Sequence, residues 1–234
     1  MKIENAVVFV TGANRGIGLA FAQAALRRGA RKVYAAMRTP APMAEGLQVV
    51  TLDVTNAEQV RQAAAECGDV SLLINNAGIA QTGGYLAADS AAAIQRHLDV
   101  NVFGMLSMCQ AFVPVLAANG GGAVLNVLSV ASWFNSPLLG AYGLSKSAAW
   151  ALTNGLREEL RAQHTQVTGL HMGFVDTDMT RAMDVPKTSA QDIADRALDG
   201  VAAGDEEVLA DERARQIKQG LTAQPPFYLN LNRH

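Results

Sequence analysis

The chain has 234 residues, 50% of them hydrophobic and 17% charged, with a formal net charge of -2. That length suits one α/β domain with a sizeable buried core. A charge balance without a basic stripe or a long block of one sign argues against a nucleic-acid binder and against a charged tail.

Strand-like and helix-like segments alternate along the chain. Ala6–Val10 is a short apolar run of the kind a buried parallel strand presents. A glycine-rich turn follows, then a helix from about Ile17 to Arg28, closed by Gly29 as a natural C-terminal cap. Lys32–Met37 and Leu47–Leu52 read as the second and third strands, Asn56–Glu66 as a helix, and Val70–Ile74 as the fourth strand. Ser90–Ala118 reads as helical with a break near Val100–Gly104. Ala123–Leu128 is the fifth strand, Tyr142–Gln163 a long helix and Gln166–His171 the sixth strand. A helix over Ala190–Ala203 and a short strand at Glu207–Ala210 complete the pattern.

Repeated strand–helix units imply right-handed crossovers and a doubly wound parallel sheet with helices on both faces, a Rossmann fold. Its ligand lies beyond the carboxyl ends of the strands. One domain over 1–234 is expected, ending in an irregular tail at 221–234. The tail is open to three readings: a cap on the cleft, a subunit contact, or disorder.

Cys67 and Cys109 lie outside any CxxC pattern and read as reduced thiols of a cytoplasmic chain. The N-terminus lacks the long apolar segment of a signal peptide, and no run of about 18 apolar residues suggests a membrane span. His97, His164, His171 and His234 are scattered without ligand spacing, so no metal is expected.

The first strand ends in Thr11-Gly12-Ala13-Asn14-Arg15-Gly16-Ile17-Gly18. Pyrophosphate binding needs close backbone approach and free amides at a helix N-terminus, and glycines there remove obstructing side chains. The spacing is GxxxGxG rather than GxGxxG, and a tight turn without a ligand is the alternative. Its place between an apolar strand and a helix favours the binding role for Gly12, Asn14, Arg15, Gly16, Ile17 and Gly18.

Tyr142 and Lys146 share a helix face by their i, i+4 spacing. An ammonium beside a phenol lowers the phenol's pKa, which suits it to exchange a proton with an alkoxide. Ser129, at the end of the fifth strand, is placed to hydrogen-bond a substrate oxygen. Its alternative is a strand-end serine satisfying a loop amide, and Ser132 is a nearby competitor. Asn101 sits at the helix break, where an amide side chain fixes a kink and a bound water, or simply the break.

The order TGANRGIG, then Asn75-Asn76-Ala77-Gly78, Asn101, Ser129 and Tyr142-Gly143-Leu144-Ser145-Lys146, resembles the short-chain dehydrogenase/reductase family from the first strand to about Leu209. The resemblance implies a catalytic tetrad. Tyr142 is its acid/base and Ser129 orients the carbonyl. Lys146 binds the nicotinamide ribose and tunes Tyr142, and Asn101 holds a water of the proton relay. It also implies that Asp53 and Val54 meet the adenine, that Asn75, Ala77 and Gly78 line the cofactor, and that Gly173, Val175 and Thr177 hold the carboxamide. Asp53 has an alternative as a strand-end cap. Met172-Gly173 departs from the family's Pro-Gly, which puts the rigidity of that loop in question.

The activity so implied interconverts a ketone or aldehyde and an alcohol by hydride transfer with NADP(H). Rival readings are reduction of a C=N bond and a cofactor-binding regulatory or scaffold protein with little turnover. At the end of the second strand, where an NAD site carries an acid, stands Met37, followed by Arg38. Arg38 and Arg15 are therefore candidates for a 2′-phosphate, with solvated loop arginines as the alternative. Ser129, Ser132, Trp133, Phe134, Leu138, Leu139, Tyr142, Met179 and Met183 suggest an open, mostly apolar cleft that prefers bulky apolar ketones to small charged keto acids, although several of them are equally suited to core positions. The resemblance further implies that 1–234 is a single dinucleotide-binding and catalytic domain with a short lid at about 177–190, and that it forms a homodimer or homotetramer packed through Asn101–Ala118 and Tyr142–Gln163. Trp150, Leu152 and Leu156 offer apolar area there, although core packing explains some of them.

Overall fold

A computed structural model describes residues 1–229. Its strands are β1 (Val7–Thr11), β2 (Lys32–Met37), β3 (Leu47–Thr51), β4 (Leu72–Asn75), β5 (Gly122–Val127) and β6 (Thr165–His171), then the two-residue β7 (Val175–Asp176) and β8 (Thr188–Ser189), and β9 (Glu207–Leu209). The helices are α1 (Gly16–Arg27), α2 (Ala57–Glu66), α3 (Ser90–Leu98), α4 (Met105–Ala118), α5 (Gly140–Glu159), α6 (Ala190–Ala203) and α7 (Glu212–Gly220). Seven strands form one parallel sheet in the order β3-β2-β1-β4-β5-β6-β9. The order reverses between β1 and β4, so their carboxyl ends open into the crevice expected of a Rossmann fold.

Both faces of the sheet are covered, which is why its strands read as continuous apolar runs. Alternation along each strand divides the core in two. Val8, Val10, Val33 and Ile74 pack with Phe21 of α1 and with Ile193 and Leu198 of α6. Val7, Phe9, Leu73 and Val124 pack on the other face with Val60 of α2, Met108 and Phe112 of α4, and Leu156 of α5.

Helix ends follow their capping chemistry. Asn56 is the cap of α2, accepting the amides of Glu58 and Gln59 at 3.0 and 3.1 Å. Ser189 caps α6 and Gly204, at φ +87°, ends it. The stretch expected as one helix over Tyr142–Gln163 is α5 followed by a separate 3₁₀ turn at Arg161–Gln163.

The expected break in Ser90–Ala118 is a π-helical segment over Asp99–Gly104 joining α3 to α4. Although no unbroken run of 18 apolar residues occurs in it, this stretch is by length and by the mean hydropathy of an 18-residue window, 1.7, apolar enough to cross a membrane. Met105, Met108, Cys109, Phe112 and Leu116 are buried in the core, which accounts for that character. The sequence reading also missed α7, which buries little beyond Ala214 and Ile217. Of the tail, 221–229 is described, with a 3₁₀ turn at Phe227–Leu229. The rest of the tail reading, and His234, lie outside the described residues.

Candidate active site

At the end of β1 the chain turns through Gly12, at φ +66°, into α1. α1 packs so closely on this turn that a Cβ at Gly18 would lie 2.1 Å from the Gly12 carbonyl oxygen, so no other residue fits there. Thr11 Oγ1 accepts the amides of Asn76 and Ala77, and Asn76 Nδ2 donates to the carbonyls of Thr11 and Gly12. The segment after β4 thus braces the glycine-rich turn. No side chain caps α1, and its first turn carries no acid. An uncapped helix start beside glycines that lack Cβ atoms is what a pyrophosphate requires.

This turn opens into a cleft of about 430 Å³ across the carboxyl ends of the strands. Gly12, Asn14, Arg15, Gly16, Ile17, Gly18, Arg38, Asp53, Val54, Ala77 and Gly78 line it, as do Gly173, Val175 and Thr177. Ser129, Phe134, Leu139, Tyr142, Lys146, Met179 and Met183 line the same cleft.

Ser129 follows β5, and its Oγ accepts the Ala131 amide at 3.1 Å as the cap of a 3₁₀ turn. Tyr142 and Lys146 stand in the first turns of α5, the lysine buried and its Nζ donating to the Val127 carbonyl at 2.8 Å. Burial pushes Lys146 down to about 8. Burial also pushes Tyr142 above its ordinary value, with the nearby Ser129 hydroxyl acting in the opposite direction. Burial therefore outweighs the lowering expected from Lys146, whose ammonium is directed to a backbone carbonyl.

Asn101 lies within the π segment, buried behind the cleft rather than on its wall. Its Oδ1 accepts the Ile79 amide at 2.9 Å, and its Nδ2 donates to the Ile79 carbonyl and to Ser145 Oγ. Its side chain ties the segment after β4 to α5, so the amide side chain expected to hold a water is already engaged.

Other sequence-derived positions divide. Asn75 does not reach the cleft: it donates to Asn126 Oδ1 at 2.9 Å inside the core, and its strand neighbour Asn76 takes the opposite face. Trp133 also turns away, stacking on His171 with ring centroids 3.9 Å apart, because the 3₁₀ turn rotates it behind the wall that Phe134 lines. Ser132 is buried with its Oγ unpaired, and Leu138 is 68% exposed; neither lines the cleft. Asp53 caps its own loop through Oδ1, accepting the Thr55 amide and hydroxyl, while still lining the cleft. Met37 is buried in the core beneath its own backbone, so the side chain facing out after β2 is that of Arg38.

Arg15 and Arg38 differ in a way their sequence positions conceal. Arg15 pairs with Asp178 at 3.0 Å, joining the glycine-rich turn to the segment after β7. Arg38 makes no ion pair among the described residues.

A model of the short chain dehydrogenase family matches residues 6–187. The chain belongs to this family. A Burkholderia cenocepacia short chain dehydrogenase solved in complex with NADP is 38% identical, with a TM-score of 0.93 over 99% of this chain and 98% of that one. A short-chain dehydrogenase/reductase from Burkholderia phymatum, solved with NAD, is 25% identical, with a TM-score of 0.80 over 96% of each chain. Among curated relatives, the galactitol 2-dehydrogenase (L-tagatose-forming) of Cereibacter sphaeroides is 36% identical over 194 residues, which is 78% of this chain and 76% of that protein.

In this short-chain dehydrogenase the loop lacking proline is fastened from outside. The Asp211 carboxylate accepts the Gly173 amide through Oδ2 and caps α7 through Oδ1, each at 2.7 Å. Sequence reasoning missed Asp211, although an aspartate before a helix start is a capping signal. It also missed Asn76 and Arg213, both on the wall of the cleft. Asn76 sits one residue beyond Asn75, and which of two adjacent asparagines faces a ligand depends on strand register. Arg213 was missed together with its helix.

Proposed function

We propose that this oxidoreductase interconverts a ketone and a secondary alcohol with NADP(H), using Tyr142 as the proton donor and acceptor. The observation that carries the reading is the convergence of Ser129, Tyr142 and Lys146 on one cleft with the uncapped start of α1. The bound dinucleotide would supply or take up the hydride. The turn Gly12–Gly18 and α1 would hold its pyrophosphate, Asp53 and Val54 its adenosine, Lys146 its ribose, and Val175 and Thr177 its carboxamide.

In the reducing direction the Ser129 hydroxyl donates to the substrate carbonyl oxygen, and the Tyr142 phenol gives its proton to that oxygen as negative charge develops. A tyrosine raised by burial stays protonated at neutral pH, which suits it to donate. The resulting phenolate is stabilised by the Lys146 ammonium, with its Nζ 5.8 Å from the ring centroid. In oxidation the same proton returns to Tyr142. Phe134, Leu139, Met179 and Met183 favour a substrate with an apolar body. Phe103, 51% exposed just before α4, supports assembly into a dimer or tetramer, whereas Leu156 of α5 is taken up by the core.

The test is NADPH oxidation with a panel of aromatic and aliphatic ketones, for the native chain and for Tyr142→Phe. Turnover falling at least about a hundredfold with NADPH binding retained is the expected result. Near-native turnover in the purified variant overturns the role of Tyr142.

A further inference from the structure

The substrate end of the cleft carries a cation for which the reaction described above has no use. Arg213 lies on its wall, exposed, in the first turn of α7. Its stem is fixed against the loop after β6, where a Cβ at Gly173 would lie 3.1 Å from Arg213 Cβ and Cγ. Its guanidinium is held over the ring of Phe227, 5.6 Å from the centroid. Phe227 in turn meets Phe134 of the cleft wall edge-on, with centroids 5.3 Å apart. The described part of the tail thus props Arg213 at the cleft.

A cation in the first turn of a helix opposes the helix dipole, which favours anions there. Neighbouring acids do not offset it by direct pairing. Both oxygens of Asp211 accept backbone amides, and Glu212 accepts from Arg215 and Gln216. Among the described residues no carboxylate lies within ion-pairing distance of Arg213. Of the other arginines of the cleft, Arg15 is paired with Asp178 and Arg38 stands at the far end. Arg38 follows β2 and Arg213 follows β9, five strands apart in the sheet order, on the order of 24 Å at about 4.8 Å per strand. Phosphates bound at the glycine-rich turn and Arg38 therefore leave Arg213 unused. Ser129 follows β5, two strands from β9, or about 10 Å by the same spacing.

We infer that Arg213 is a specificity-determining residue that pairs with an oxyanion, a carboxylate or a phosphate, carried by the substrate at some distance from its carbonyl. The planar guanidinium fork matches either group. The substrate class is then an oxo acid whose carbonyl and oxyanion are separated by an apolar body, which lies along Phe134, Met179 and Met183. This deepens the ketone-reductase reading of the same cleft and rests on it.

The test uses aryl oxo acids of increasing chain length, each beside its methyl ester and its phosphonate counterpart. Turnover with NADPH and calorimetric binding to the NADP⁺-loaded enzyme are measured for the native chain, Arg213→Lys and Arg213→Glu. At one or more chain lengths the native chain should favour an acid over its ester by about tenfold in kcat/KM. Arg213→Glu should reverse that preference and Arg213→Lys retain part of it, with the ester rates and the KM for NADPH unchanged. The carboxylate and phosphonate arms identify the oxyanion. Esters turned over as well as acids at every length, or equal loss of both in Arg213→Glu, overturns the role of Arg213 and leaves the reductase reading intact. Arg213-dependent binding of the acids without any turnover overturns the reductase reading instead. Absence of both overturns the two together.

Discussion

Lys146 directs its ammonium to the Val127 carbonyl, 2.8 Å away, which fixes a buried charge at the end of β5 before any ligand enters. The contact pins the cation close to Tyr142 without a hydrogen bond between them. Lys146→Met keeps the length and apolar stem and removes the charge that stabilises the phenolate. Losing a preorganised electrostatic group of this kind costs about 2.7–4 kcal/mol in the barrier, or roughly a hundred- to a thousandfold in kcat. The expected outcome is that loss in kcat with the cooperative thermal transition retained, read by steady-state kinetics and melting curves. A kcat within a few fold of native contradicts the assignment.

Arg38 is the stronger of the two phosphate candidates, because Arg15 is already paired with Asp178. A charged hydrogen bond to phosphate contributes about 1.5–3 kcal/mol before discounting for exposure. The native chain should prefer NADPH to NADH by at least about tenfold in kcat/KM, since 1.4 kcal/mol is tenfold. Arg38→Asp should erase or invert the preference, and Arg15→Ala should change it less. Native preference for NADH excludes the phosphate role.

His171 sets a stability limit in acid. Burial pushes it down to about 4, and it sits between the Ser129 carbonyl, the ring of Trp133 and Glu207. Above about pH 6.5 neither the folded nor the unfolded chain protonates it, so it contributes no slope. Between 6.5 and 4 the unfolded chain binds a proton that the folded one refuses, so stability falls as pH falls, by about 3 kcal/mol in total. Urea midpoints over this window should drop less steeply in His171→Asn. Equal slopes in the two proteins rule out His171 as the source.

Asp211 joins the loop after β6 to α7. Asp211→Ala removes a helix cap and leaves the Gly173 amide without its acceptor. The combined loss should be about 2–4 kcal/mol. The KM for NADPH should rise because Val175 and Thr177 follow the loosened loop. Asp211→Asn, which keeps one carbonyl oxygen, should lose less of both. Denaturant unfolding and cofactor titration measure the two effects separately.

The sequence by itself determined the alternation of strands and helices, the place of the glycine-rich turn, and a helix break near Val100–Gly104. Each is local: apolar runs, glycines between a strand and a helix, and an interruption in a helical pattern. It also supplied Tyr142 and Lys146 as candidates, because the i, i+4 spacing fixes a shared helix face, and Ser129 from its place at the end of a strand. Tertiary structure alone decided which neighbours face the cleft. Adjacent strand residues point oppositely, so Asn76 lines it while Asn75 bonds to Asn126 in the core. A 3₁₀ turn puts Trp133 behind the wall and Phe134 on it. Pairing across the chain is equally invisible in sequence: Arg15 meets Asp178, and Asp211 fastens Gly173. The pKa shifts of Tyr142, Lys146 and His171 belong to the same class, since desolvation depends on everything packed around a group and not on its neighbours in the chain.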